Sequence, residues 1–314
     1  MLQRLPENRV AILLSTYNGE RFLPAQLESL LDQSFQEWTL YWRDDGSTDN
    51  TVAIVEEFSR AAGQGRCVQL QGPDRRLKPT ASFLSLLGAV KDRLAEGDMI
   101  AFADQDDVWL PQKLARGVAS LRSLANQVPA IYGARQVLVD QSLQRIGVSG
   151  KLRRPADFPA ALTQNVTTGC TVLLNQRAVA LVARSTPPTV SLHDWWCYLV
   201  VTAAGGPLLH DDEPTVLYRQ HARNTVGAPH SMPRRALAAA RRGPGVFMNV
   251  LRQHVAALLQ QPGLMSADAY RQVEMLDRAL KGGPLQRLAV LRMPGLRRQT
   301  VPEMVGFWIW FLLG

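Results

Sequence analysis

Three carboxylates crowd the segment FADQDDVWLP (102–111), where Asp104, Asp106 and Asp107 follow directly on an apolar run. Ionised acids this close raise one another's pKa unless a cation relieves them. Asp–x–Asp at a strand end points two side chains the same way, because strand side chains alternate. Carboxylates so placed suit a hard divalent cation, Mg²⁺ or Mn²⁺, which binds through oxygen and keeps positions for substrate phosphates. The competing reading is that Asp107 caps a helix opening at VWLPQKL, since acids favour helix starts. Three acids exceed what capping requires.

Four other segments set polar side chains near element ends. STYNG offers Ser15, Thr16 and Asn18 as nucleotide partners and Tyr17 as a ring to stack on a base, or simply as a buried turn tyrosine. In RDDGSTD, Asp45 could accept a hydrogen bond from a ribose hydroxyl or a base imide, while Ser47, Thr48 and Asp49 cap the next helix. SLHDWWCYL sets His193 and Asp194 ahead of two tryptophans. A carboxylate against indoles has a raised pKa, which suits a general base, though Asp194 could equally cap a helix. YRQHARN carries Arg219, His221, Arg223 and Asn224. These are an imidazole for a metal and guanidinium forks for a diphosphate, or else a basic surface loop. No G-x-G-x-x-G follows the first apolar run, which weakens a dinucleotide cofactor, and the absence of G-x-x-x-x-G-K-[ST] excludes a P-loop.

The elements that must position these residues alternate in kind. Val10 to Leu14 reads as a buried strand, and FLPAQLESLLDQS as a helix with Leu23, Leu27, Leu30 and Leu31 on one face. WTLYWRDD is a second strand, followed by a helix carrying Val52, Ile54, Val55 and Phe58. RCVQL is a third strand. PTASFLSLLGAVKDRLAEG is a helix ended by Gly97, and DMIAFADQDD a fourth strand. This alternation predicts an α/β fold with a doubly wound, mostly parallel central sheet, whose ligands lie beyond the carboxyl ends of the strands. Three polar strand ends should therefore share one crevice. PQKLARGVASL reads as a further helix, AIYGARQVLV and CTVLLN as strands, HDWWCYLVVTAAGG as a helix, and PTVLYRQHARN as a strand entering a polar loop. A boundary near residue 228 separates this part from a C-terminal extension (229–314). There, Arg-rich amphipathic helices are expected to break at RRGPG, QQPG, KGGP and RMPG.

The 314-residue chain is 46% hydrophobic and 20% charged, ordinary for a soluble domain with a sizeable core. Three cysteines without C-x-x-C spacing argue against a disulfide framework and fit a reducing cytosol. The N-terminus shows no signal-peptide pattern, and no apolar run approaches the ~18 residues of a membrane span. The net charge of +8 is concentrated in C-terminal arginines interleaved with apolar residues. That pattern points to an anionic membrane surface or a polyanion, or else to a solvated helix face, and nucleic acid is not an expected partner. The closing run VGFWIWFLLG, with Trp308 and Trp310, could dock back on the core or enter a membrane interface.

STYNG, RDDGSTD, DQDDVW, HDWW and YRQHARN, in this order over 10–227, resemble the family 2 glycosyltransferases, and more narrowly their rhamnosyltransferase-like branch. The resemblance implies a GT-A fold with a nucleotide-binding half (about 1–110) and an acceptor half (about 111–228). It implies inverting transfer from a nucleotide-diphosphate sugar, dTDP- or UDP-linked and rhamnose in the narrower branch, to a lipid-linked or polysaccharide acceptor. By position, Ser15, Tyr17 and Asp45 would hold the nucleotide. Asp104 would touch the ribose or metal shell, and Asp106 would be the main metal ligand, joined by His221. Asp194 would be the base, and Arg219 or Arg223 would neutralise phosphate charge. Two departures stand out: RQHARN replaces the Q-x-x-R-W of processive members, and His193-Asp194 stands where the family often has Glu-Asp. The implied location is cytoplasmic, peripheral on the inner membrane face. A sugar nucleotidyltransferase and a non-catalytic carbohydrate-binding or scaffold protein are the alternatives.

Overall fold

The computed structural model describes residues 8–73, 75–124, 127–221 and 232–314, with backbone alone over 232–244. The first half alternates as the apolar pattern predicts. It runs β1 (Val10–Thr16), α1 (Leu23–Leu31), β2 (Trp38–Asp44), α2 (Thr51–Ala62), β3 (Cys67–Gln69), α3 (Lys78–Val90) and β4 (Met99–Ala103). Strands β3, β2, β1 and β4 lie side by side and parallel. Their unbroken apolar runs have a simple cause: both faces of the sheet are covered. Val10, Ile12 and Leu14 pack with Leu27, Leu30 and Val55 on one side, while Ala11 and Leu13 pack with Phe83 and Leu87 on the other.

The second half continues the same sheet. It comprises β5 (Val108–Trp109), α4 (Lys113–Arg122), β6 (Ile131–Val139), β7 (Arg145–Val148), α5 (Ala160–Thr163), β8 (Leu173–Asn175), α6 (Gln176–Ala183), α7 (His193–Ala203) and β9 (Leu208–Arg219). The order across the sheet is β3-β2-β1-β4-β8-β6-β9-β5, with β7 on β6. β8 runs antiparallel to β4 and β6, and β5 runs antiparallel to β9. The two-residue strand β5 is too short to read from periodicity. Yet its register, Val108 opposite Leu217, brings the acidic loop against the end of β9.

The extension holds α8 (Met232–Leu259), α9 (Ala267–Lys281), α10 (Pro284–Val290) and α11 (Val301–Leu313). Breaks occur at QQPG, KGGP and RMPG, but not at RRGPG, because α8 runs through Gly243–Pro244–Gly245 as one helix. Met248, Leu251, Val255 and Leu258 recur at helical spacing and are buried in the same cluster as α7. That face fixes α8 from tertiary contact, which local propensity does not reveal. Two further boundaries differ from expectation. α3 ends at Val90 and passes into a 3₁₀ turn, so Gly97, at φ +89°, serves the turn into β4 instead of ending the helix. α2 starts on Asn50 without a side-chain cap. Ser47 instead accepts from the Asn18 amide (2.9 Å), while Asp49 accepts both from the amide of Thr51 at the start of α2 (3.0 Å) and from the Glu20 amide (3.3 Å), tying one strand-end loop to the next.

Candidate active site

The strand-end loops meet. Gln105 grips Tyr17 twice, accepting from its amide at 2.8 Å and donating to its carbonyl at 3.0 Å. Gly19 leaves room for this grip, since a Cβ there would fall 2.5 Å from Gln105 Oε1. The β5–β9 register carries the chain past Arg219 to His221, whose Nε2 lies 2.7 Å from Asp106 Oδ2. Phe22 stacks on the His221 ring at 5.1 Å, and the Arg219 guanidinium lies 4.5 Å over Phe22 from another direction. An aspartate oxygen and an imidazole nitrogen thus face each other on an ordered platform, with Asp106 about a quarter exposed.

Beneath this pair lies a deeper cluster. Asp104, Asp107 and Cys170 bring ligand-type atoms within 4.8 Å of one another. Asp107 is fully buried and caps no helix, because α4 begins six residues later with Gln112 at its cap. Its Oδ1 accepts from the Arg219 amide at 3.1 Å. Burial, then the charges of Asp106 and Asp104, push the Asp107 pKa well up. Lys113, also fully buried, sits 3.5 Å over the Trp109 ring, and burial pulls its pKa down to about 7 against the opposing pull of Cys170 and Asp107. Burial likewise holds the Cys170 thiol protonated, and a neutral thiol is a poor metal ligand. Asp104 is half-buried, and burial and the neighbouring charges of Asp106 and Asp194 raise it to about 8.

Asp194 occupies the first turn of α7, where its charge raises the pKa of Asp104. Burial raises its pKa to about 6, opposed by hydrogen bonds from the Trp195 amide, the Asn165 side chain and the Gly169 amide. Asn165 Oδ1 accepts from both the amide and hydroxyl of Thr167, at 3.1 and 2.8 Å, which leaves its NH₂ facing Asp194. The adjacent His193 is packed between Phe83 and Phe102, and burial lowers it to about 3, so it stays neutral.

The remaining residues singled out from sequence are engaged with neighbouring loops. Ser15 Oγ donates to Ser82 Oγ at 2.7 Å. Asp45 accepts from Arg43 and from the amides of Leu77 and Lys78, each at 2.7 Å. Burial pushes its pKa up, but these donors prevail and it is lowered. Arg76 covers the Tyr17 ring at 3.5 Å and lies 3.9 Å from Asp45. Arg219 is almost fully buried and donates to the carbonyls of Asp106 and Gln141. Arg223 lies outside the described residues. Sequence reasoning missed Asn165, Gln105 and Arg76, because single polar residues in irregular loops carry no periodicity.

Comparison with known proteins bears on the family and the fold. The model of the family described as "Glycosyl transferase family 2" matches residues 11–178. The dTDP-rhamnosyl transferase RfbG of Shigella flexneri is 29% identical over 234 residues, covering 68% of this chain and 74% of the relative. The UDP-Glc:alpha-D-GlcNAc-diphosphoundecaprenol beta-1,3-glucosyltransferase WfgD of Escherichia coli is 28% identical over 197 residues, covering 61% and 69%. Among solved structures, S. aureus TarS 1-349 with UDP-GlcNAc superposes with a TM-score of 0.57 at 17% identity, covering 97% of this chain and 81% of that one. The match disfavours the nucleotidyltransferase and non-catalytic alternatives. With its GT-A fold and a family match over more than half its length, the chain belongs to glycosyl transferase family 2.

Proposed function

We propose that the protein is a metal-dependent inverting glycosyltransferase that moves a sugar, rhamnose in the leading reading, from a dTDP- or UDP-linked donor to a lipid-linked or polysaccharide acceptor in surface-glycan synthesis. In this reading residues 1–228 form the transferase, and residues 229–314 a basic extension at the inner membrane face. The observation that carries it is the concentration of Asp104, Asp106, His221 and Asp194 at the meeting point of the strand-end loops. The relatives' own donors, dTDP-linked in RfbG and UDP-linked in WfgD, support the choice of donor class.

The residues present fit a hard divalent cation, Mg²⁺ or Mn²⁺. Asp106 Oδ2 and His221 Nε2 are 2.7 Å apart in a direct hydrogen-bond contact, within a few tenths of an ångström of the ~3.0 Å between neighbouring ligands of an octahedral ion bound at about 2.1 Å. Asp104 adds an oxygen, and its pKa is raised by burial first and then by the neighbouring charges of Asp106 and Asp194. When bound there, the cation supplies the positive charge that a departing diphosphate needs. In the chain's own contribution, Asp194 takes the proton from the acceptor hydroxyl as that oxygen attacks the anomeric carbon opposite the diphosphate. Asn165 and the Gly169 amide keep its carboxylate aimed. Ser15, Tyr17, Asp45 and Arg76 line the nucleotide side. Arg219 braces the acidic loop, and Arg223 remains the candidate for contacting phosphate.

The test is Asp194→Asn assayed with dTDP-rhamnose and UDP-glucose in Mn²⁺. Transfer is expected to fall by roughly 10²–10⁴-fold while nucleotide binding by calorimetry persists. Normal turnover in that variant would remove Asp194 from the mechanism.

A further inference from the structure

The last helix carries apolar side chains on every face, and the structure uses only some of them. Phe307 and Phe311 are fully buried, and Met304 packs against the same core. The opposite side bears Val301, Val305, Trp308, Ile309 and Leu313, exposed by 63, 43, 41, 51 and 77%. An ordinary surface helix turns charged residues outward, whereas one that is apolar all round is either buried or in contact with lipid. α10, which α11 packs against, adds Leu285 at 83% and Leu288 at 46% exposure. Arg287 joins the two helices by donating to the carbonyls of Phe311 and Leu312. Isolated exposed leucines need no explanation, but five exposed apolar side chains along one side of a helix do.

Charge selects the occupant. From 281 to 314 the chain carries five basic residues, Lys281, Arg287, Arg292, Arg297 and Arg298, against one acid, Glu303. Lys281 pairs with Asp277, Arg297 pairs with Asp157 and Arg298 is largely buried, but the extension over 245–314 still holds eight basic residues against four acids, and Arg292 is exposed. Two copies paired through this face would bring net positive surfaces together, whereas an anionic bilayer offsets that charge and Trp308 suits its interfacial layer.

We propose that the outer face of α11, with Leu285 and Leu288 of α10, is the surface by which this enzyme lies on an anionic membrane, and that α8 relays that placement to the catalytic helix. The relay is visible in the packing. Phe247 of α8 touches Phe307 and Trp310 of α11, with ring centroids 5.9 and 5.8 Å apart. His254, seven residues further along α8, packs on Trp195 at 4.9 Å, and its Nε2 lies 2.9 Å from Ser191 Oγ. Seven residues rise roughly 10 Å, so about two helical turns separate the lipid-facing helix from the first turn of α7. This deepens the reading above and rests on it only for the lipid-linked acceptor.

The experiment is co-sedimentation of the full chain with phosphatidylglycerol and with phosphatidylcholine vesicles, alongside the double substitution Trp308→Asp, Ile309→Asp. Both sites are exposed, so the melting temperature and the Mn²⁺-dependent binding of dTDP or UDP are expected to stay unchanged. Wild type is expected to bind phosphatidylglycerol at least about tenfold more tightly than phosphatidylcholine, and the double variant to lose at least about tenfold on phosphatidylglycerol. Wild type left in the supernatant, or a variant that binds as well as wild type, overturns the proposal. A solution dimer that the double variant dissolves also overturns it and makes a second copy the occupant. Failed vesicle binding with intact nucleotide binding removes this proposal alone. Failed nucleotide binding with intact vesicle binding removes the catalytic reading alone.

Discussion

At Asp194 two influences oppose each other. Burial raises its pKa to about 6, while donors from Trp195, Asn165 and Gly169 favour the ionised form. A base must be deprotonated to act, so the rate is expected to fall about tenfold per pH unit below that pKa. Asn165 has its amide oxygen engaged by Thr167, so Asn165→Asp exchanges a donor for a like charge beside Asp194. The acid limb of kcat should then move up, by about one unit for each 1.4 kcal/mol of added repulsion, with KM for the donor little changed. A pH–rate profile of the variant checks this. An unshifted limb accompanied by a raised donor KM would place Asn165 in donor binding instead.

Between elements, the short turn 169–171 matters more than its length suggests. Its Gly169 amide reaches Asp194, and a Cβ on Gly169 would lie 2.6 Å from His193 Nε2. Since His193 is wedged between Phe83 and Phe102, it has little room to give. Gly169→Ala is therefore expected to cost about 1–3 kcal/mol of stability and to lower activity with it. Chemical denaturation measures the first effect, and an unchanged midpoint would mean that His193 swings aside freely. In the extension, Phe307 is the corresponding anchor, fully buried on α11 against Phe247 and Phe311. Phe307→Ala should cost about 3–5 kcal/mol and expose the C-terminal helix to limited proteolysis. Proteolysis at the wild-type rate would argue that α11 does not depend on that contact.

Across the molecule, the crowded acids link stability to pH and to metal. Asp104 at about 8 and Asp194 at about 6 both lie above ordinary carboxylate values. A carboxyl with a raised folded pKa binds its proton more tightly in the native state. Its contribution is therefore favourable at low pH and is lost as pH rises through the window from about 4 to about 8. A bound dication can replace those protons. The Mn²⁺-induced rise in melting temperature is expected to be larger near about pH 8 than near about pH 5, and to vanish with chelator or in Asp106→Asn. A rise that is equal at both values would place the ion away from this cluster.

The sequence alone determined the parallel half of the sheet, because strands covered on both faces must be apolar at every position, as Val10 to Leu14 are. It also marked the acidic and HDWW segments, since dense charge and paired indoles stand out in any context. It did not reveal that Asp107 sinks beside Lys113 and Cys170 while Asp106 turns to His221. That division follows from the two-residue strand β5 pairing with β9, more than 100 positions away. The unbroken passage of α8 through Gly243–Pro244–Gly245 likewise ran against local propensity. In each case the deciding interactions join residues far apart in the chain, and only the folded structure brings them into contact.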